Sequence, residues 1–250
     1  ISRAIYPVSE LATAKVIQQN SAICELTDFP IDKVNKDRLY RGAKKLYDHK
    51  DNLEKHLSSR TNEIFNYEEK IILYDLTNTY FEGKKENSEL AQYGRSKEKR
   101  NDAKLVVLAL AVNPLGFIKY SSIHEGNFAD SSDITAVLDG LIKNTGMEPK
   151  TVVMDAGIAS KENLKVVVDK GYNYLCVSRD KPVNYSYVEN SMDTVVHTNG
   201  KKQIKLRKVK SGDGTNYYFE IKSPDKALKE SGMKNRFEEL FEERLQLAKD

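Results

Sequence analysis

Apolar positions along this chain change their spacing twice. Over residues 1–68 they fall at helical intervals. Leu39, Leu46 and Leu53 lie seven apart, with Ala43 and Leu57 on the adjoining face, which predicts a packing helix ending near Ser58. From residue 70 the pattern turns to strands. Residues 71–77 are rich in β-branched side chains. Leu105–Val112 is apolar at every position, as expected of a strand buried on both faces. Asn113, Pro114 and Gly116 supply a turn, and residues 117–123 read as the returning strand of an antiparallel hairpin. A helix follows, capped by Ser131 or Ser132, with Ile134, Val137, Leu138, Leu141 and Ile142 on one face and Gly146 as its stop. Thr151–Met154 is a short apolar strand ending at Asp155. Ser160 then caps a helix with Leu164, Val167 and Val168 inward and Gly171 at its end. Residues 174–178 form a last strand.

Three antiparallel strands followed by helix–strand alternation is the order of a ribonuclease H-like α/β fold, a mixed sheet flanked by helices. Beyond residue 180 the pattern changes again. Asn199-Gly200 is a strong hairpin signal, since a type I′ turn needs positive φ at both positions. It joins residues 194–198 to 202–209. Gly212-Asp213-Gly214 turns into residues 217–221, and residues 224–250 read as helical. The expected organisation is a helical N-terminal region (1–68), a ribonuclease H-like core (69–180) and a β-meander with a helix (181–250) inserted into a truncated core.

The 250 residues suffice for one large domain or two modest ones. A hydrophobic fraction of 39% supports a globular fold despite 31% charged residues. A net charge of +3 tolerates a nucleic-acid partner without requiring one, so the distribution of charge matters more than its sum. Cys24 and Cys176 match no metal-ligand spacing and argue against a disulfide scaffold. They fit a reducing compartment, and a cytoplasmic location is expected. Leu105–Val112, the longest apolar run, is too short to span a bilayer. No signal pattern opens the chain. It starts at Ile1 and ends within a charged helical pattern, so a fragment is expected.

Two aspartates stand out. Asp75 lies inside an apolar strand, where an acid is costly to bury unless it is paired or holds a cation. Asp155 ends a second apolar strand, and Ala156-Gly157 after it leaves room for a turn and for a ligand to approach. Ligand sites in open α/β sheets gather at the carboxyl ends of strands. On neighbouring strands the two carboxylates would converge there and hold a hard cation such as magnesium, which organises phosphate oxygens and activates water or a 3′-hydroxyl. The plainer role of an aspartate at a strand end is to cap the next turn.

Four motifs in order carry a family resemblance. They are Tyr74-Asp75-Leu76-Thr77-Asn78-Thr79-Tyr80-Phe81-Glu82-Gly83, then Tyr93-Gly94-Arg95-Ser96-Lys97 with Arg100 and Asp102, then Gly126-Asn127-Phe128-Ala129-Asp130, and then Val153-Met154-Asp155-Ala156-Gly157-Ile158. Together they resemble a group of DDE-type bacterial insertion-sequence transposases, best between residues 38 and 180. The resemblance implies a magnesium (or manganese) site and action on double-stranded DNA, at the element's terminal inverted repeats and at the target. It also implies homo-oligomers assembled on DNA. Asp75 and Asp155 match the first two acids of an Asp-Asp-Glu triad. The third acid of that family lies in a Tyr-x2-Arg-x3-Glu-x6-Lys pattern, which this sequence lacks. Glu238, Glu239, Glu242 and Glu243 have the wrong spacing and read as a solvated helix face. The expectation is that the chain stops before the glutamate.

Other candidates concern grip on DNA. Asn127 can orient a phosphate or a ligating carboxylate, or simply serve a turn or helix cap. His124 has no second His or Cys nearby. Lys84, Lys85, Arg95, Lys97, Lys99, Arg100 and Lys104 surround the loop after the first strand, interrupted by Glu86, Glu89, Glu98 and Asp102. Lys201, Lys202, Lys205, Arg207, Lys208 and Lys210 crowd one strand of the meander with no acid among them, as phosphate contact would favour. Two other functions compete with a transposase. A magnesium-dependent phosphatase would need an acid where Thr77 stands. A transposase-derived DNA-binding protein without catalysis would need no third acid.

Overall fold

A computed structural model describes residues 2–94, 100–128, 134–146, 150–178, 184–200, 202–212 and 216–247. The chain forms two compact units, Ile1–Ser178 and Arg179–Asp250.

The first unit opens with α1 (Ser2–Ile5), α2 (Glu10–Asn20), α3 (Ile23–Leu26), α4 (Lys36–Asp48) and α5 (Lys50–Phe65). Ala14, Ile17, Cys24 and Val34 make a small core of their own, with Leu39 packed against it. The heptad leucines do not form one stripe. His49, at φ −108° and ψ 12°, separates α4 from α5, and Leu46, Leu53 and Leu57 are exposed. The inward positions of α5 are polar instead, with Glu54 and Ser58 buried.

The reason lies in the sheet. Strands β1 (Ile71–Tyr80), β2 (Leu105–Val112), β3 (Ile118–Glu125), β4 (Thr151–Met154) and β5 (Asn173–Cys176) are ordered β3-β2-β1-β4-β5. β1, β2 and β3 pair antiparallel, while β1, β4 and β5 pair parallel. This is a mixed sheet flanked by helices, compatible with the ribonuclease H-like order. β3 is an edge strand, and α5 covers part of that edge. Glu54 accepts from the Ser121 amide (3.4 Å) and the Ser121 hydroxyl, and Lys50 Nζ donates to the Ser121 carbonyl (2.7 Å). Side chains thus satisfy edge backbone groups that would otherwise invite another strand. Alongside them the ammonium of Lys119, fully buried, pairs with Glu69 and donates to Ser58 Oγ (3.1 Å) and Asn62 Oδ1 (3.0 Å). The apolar positions of α5 therefore face outward, because its inner face serves a charged edge.

One face of the sheet is closed by α6 (Ile134–Thr145) and α7 (Lys161–Asp169). Ile72, Tyr74, Leu105, Leu138, Val152 and Val167 meet there in the main core. Gly146 and Gly171 follow these helices at φ +85° and +81°, and the Ser160 side chain caps α7 by accepting from the Asn163 amide. In α7, Val167 is buried but Val168 is 55% exposed; Val166 packs on the core in its place. The expected caps Ser131 and Ser132 lie outside the described residues. β2 alternates buried and half-buried positions rather than being buried throughout, because its second face looks away from the core.

The second unit is a separate antiparallel sheet and a helix. Its strands are β6 (Tyr185–Tyr187), β7 (Thr194–Asn199), β8 (Lys202–Ser211) and β9 (Tyr217–Lys222), followed by α8 (Pro224–Leu247). β8 pairs with all three other strands. Gly200, at φ +60°, makes the β7–β8 hairpin. The second expected turn, through Asp213 and Gly214, lies outside the described residues. Val209 is the one buried residue among those described in this unit.

Candidate active site

Strand register decides where the two aspartates stand. β1 and β4 run parallel, and their last paired position is Tyr74 with Met154. One residue further on each are Asp75 and Asp155. Neighbouring strands lie about 4.8 Å apart, so the two backbones are in lateral contact at these positions. Tyr74, Leu76 and Met154 are buried in the core, so alternation turns Asp75 to the opposite, open face of the sheet. Asp155 directly follows Met154. Both aspartates are exposed. The expectation of an acid buried in a strand does not hold for Asp75. Its cost is avoided by facing solvent, and burial plays no part in the case for it.

The surroundings differ along that face. Leu73 lies two residues before Asp75 and Thr77 two after, and Leu110 is its partner on β2. Val153 and Leu175, paired across β4 and β5, extend the apolar surface. Asp155 also ends its strand in a turn. Its Oδ1 accepts from the Ile158 amide at 3.0 Å, and its carbonyl accepts from the Ala159 amide at 3.2 Å. The turn-capping role is therefore real, and it uses one carboxylate oxygen of Asp155. Carboxylate oxygens on an open face are donors of the kind magnesium prefers. Among the described residues no group of three His, Cys, Asp or Glu side chains could hold a metal ion together.

The loop between β1 and β2 is tied to the end of the sheet beyond Asp75. Gln92 and Leu105 exchange backbone hydrogen bonds of 3.1 and 2.8 Å, and the Gly126 amide donates to the Leu90 carbonyl at 3.1 Å. Two motif glycines meet there. A Cβ on Gly94 would strike the Gly126 carbonyl, and one on Gly126 would strike the Leu105 and Gln92 carbonyls. Spacing gave no role to either glycine; the signal available was that both stand inside motifs. Asn127 lies in the turn just after β3 and is exposed. His124 stacks on Phe128 with ring centroids 4.1 Å apart, a packing role.

The first basic stretch is partly committed. Arg100 holds Asp102 through two bonds of 2.7 and 2.9 Å and sits 4.9 Å from the Tyr80 ring, and Asp102 raises its pKa further. Lys85 lies 5.3 Å from the Phe81 ring centroid. A cavity of about 370 Å³ opens among Phe81, Tyr93, Arg100 and Lys104. Arg95, Lys97 and Lys99 lie outside the described residues, as does Lys201 of the second stretch.

That second stretch does not form one surface. Along β8, Lys205 and Arg207 alternate with Lys202, Lys208 and Lys210. Arg207 is half-buried, 3.6 Å from the Tyr187 ring and directly across from Glu220. Lys202 pairs with Asp225 at the start of α8. Lys208 and Lys210 lie on the Tyr217 ring at 4.0 and 5.9 Å.

No protein-family model matches the chain, and no curated protein matches it. Among the solved structures similar to it are two transposase complexes. A cryo-EM structure of the piggyBac transposase synaptic complex with hairpin DNA is 12% identical with a TM-score of 0.31, over 60% of this chain and 32% of that one. A Mos1 transposase paired-end complex with the left transposon end is 12% identical with a TM-score of 0.31, over 67% of this chain and 58% of that one. The chain thus spans about a third of the first and somewhat over half of the second. No helix among the described residues is long and apolar enough to cross a membrane.

Proposed function

We propose that this chain carries part of a DDE-type transposase active site, which cuts and joins DNA with a divalent cation. One observation carries the reading. Asp75 and Asp155, the acids of two motifs, follow the last paired position of neighbouring parallel strands at the same level, on exposed ground. Asp75 and Asp155 would be the residues that hold the cation. When bound, the cation would activate water or a 3′-hydroxyl and stabilise the leaving oxygen. The residues themselves do the rest. The carboxylates bring negative charge to one point of the sheet. The Ile158 amide anchors Asp155 so that its second oxygen is presented at a fixed place. The glycine-locked loop holds Arg100 and Lys104 near the carboxyl end of β1, where phosphates would be neutralised.

The test separates metal from DNA. Manganese binding followed by electron paramagnetic resonance is measured for the unaltered chain, Asp75→Asn and Asp155→Asn, and cleavage of DNA carrying the element's terminal repeats is measured for the same three sequences in a protein that also carries the family's third acid. An amide is nearly isosteric with a carboxylate but carries no charge. Each variant should therefore weaken manganese binding by at least about tenfold and bring cleavage to background, with DNA binding kept. Metal binding unchanged in both variants would overturn the assignment. A second reading, a DNA-binding protein of transposase ancestry that does not cut, is favoured by the lack of a third acid beside the pair among the described residues. It predicts DNA binding without cleavage even when the third acid is supplied.

A further inference from the structure

We propose that the face of the second unit bearing Lys208, Lys210, Tyr217 and Phe219 is a platform for unpaired nucleotides. β8 and β9 place Lys208 opposite Phe219 and Lys210 opposite Tyr217, so cations and rings alternate on one face of two paired strands. The Lys208 ammonium lies 4.0 Å from the Tyr217 ring centroid, which fixes the two side chains on the same side. Tyr217 is 55% exposed, Phe219 50% and Ile221 58%. The same strand keeps Tyr218 and Glu220 half-buried on its other face. Exposed apolar rings in a row along one strand are a contact surface rather than a core.

Carboxylates are unevenly placed on the two faces. On the face of Arg207, Glu220 lies directly across from Arg207 and Lys222 holds Asp193 at 3.2 Å. Lys208 and Lys210 have no carboxylate partner among the described residues. Free ammonium groups beside exposed rings complement a polymer that offers phosphates and flat bases together. Stacking a base on a ring and neutralising its phosphate with a lysine is the physical basis of single-strand recognition.

Geometry selects the unpaired form. Tyr217 and Phe219 are two residues apart on a strand, about 6.8 Å along it. That is twice the rise per nucleotide of a duplex strand, about 3.4 Å. Adjacent bases can meet both rings only when unstacked, and a duplex offers base edges but not base faces. A frayed end or a displaced strand fits, and a closed helix does not. This proposal rests on the reading of the chain as a DNA-processing protein, but it involves none of the residues assigned to the metal.

The experiment is fluorescence anisotropy with the whole chain and three labelled probes of one length: oligothymidine, an abasic strand and a duplex. The unaltered chain should bind oligothymidine at least tenfold more tightly than the abasic strand, which has no base to stack on either ring. Tyr217→Leu with Phe219→Leu should erase that preference and leave abasic binding unchanged. Lys208→Ala with Lys210→Ala should weaken both probes and lower the slope of log K against log salt by about 1.4. Equal affinity for thymidine and abasic strands would overturn the proposal, and that comparison needs no variant. So would a duplex bound as tightly as the single strand. Asp75→Asn should keep the thymidine preference, so the platform stands or falls apart from the metal site.

Discussion

Asp75 was legible as a candidate because an acid interrupts an apolar strand, yet the reason for its placement was not. The sequence cannot tell which face of β1 is covered, and the exposed face is the one Asp75 takes. For Asp155 the structure shows the turn cap, and it sets the residue one step past the last position at which β4 pairs with the strand of Asp75. Lys119 and Glu69 were not legible at all. A lysine and a glutamate near strand ends look like solvated residues, and only the edge-covering helix makes them a buried pair. Removing one partner leaves the other charge buried alone. Lys119→Met should therefore cost about 3–5 kcal/mol in urea unfolding. Lys119→Met with Glu69→Leu should cost clearly less than the sum of the single changes. Strict additivity would show that the pair is not coupled. Tyr172 offers a pH test. Burial, with Asp139 nearby, pushes its hydroxyl from 10.0 up to about 12. The folded-state pKa lies above the unfolded one, so the contribution is complete below pH 10 and is lost as pH rises through about 12. Tyr172→Phe should flatten the fall in Tm across that window. The buried hydroxyl also has no hydrogen-bond partner among the described residues, so at pH 7 the change should leave stability equal or up to about 1 kcal/mol higher. A clear loss of Tm at pH 7 would refute this account.

At the scale of elements, periodicity worked where burial followed a single rule. β1 and α6 bury one apolar face each, as their spacing announced, whereas β2, apolar at every position, buries one face where two were expected. α5 defeated the same reasoning. Its leucines, Leu53 and Leu57, are exposed because the strand it covers offers backbone groups and a lysine rather than apolar surface. The loop from β1 to β2 failed differently. Gly94 in that loop and Gly126 after β3 stood in separate motifs, and nothing in the sequence showed that they pack closely across elements far apart in the chain. Gly126→Ala tests that contact. Both obstacles, the Leu105 and Gln92 carbonyls, are backbone and cannot swing away. The substitution should destabilise by about 1–3 kcal/mol and make the loop from residue 81 to 104 more open to protease. Gly42→Ala, at an open helical position, is the control and should stabilise slightly. Equal protease resistance in Gly126→Ala and the unaltered chain would mean that the loop is held by something else.

At the scale of the whole molecule, the two units differ in how much they bury. The first closes a continuous core under its sheet, with Ile72, Leu105, Val137, Leu138, Leu141 and Val152 fully enclosed. The second has Val209 buried among its described residues, and all of β6 and β7 are exposed. The change from strand–helix alternation to hairpins after residue 180 lies close to the boundary between the units. The sequence did not show which basic residues share a surface, because alternation along β8 divides a cluster that looks continuous in the primary structure. Little buried area means little local stability, so the second unit should open far more often than the first. Hydrogen–deuterium exchange should find β1, β2 and β4 the slowest amides, opening only with global unfolding. β7 and β9 should exchange orders of magnitude faster. A ligand that binds the closed form of a marginal sheet suppresses its opening in proportion to its concentration over Kd. Saturating oligothymidine should therefore slow exchange in β8 and β9 while leaving β1 and β4 unchanged, and an abasic strand should do so much less. Protection that spreads equally over both units would mean that the strand does not act at this sheet.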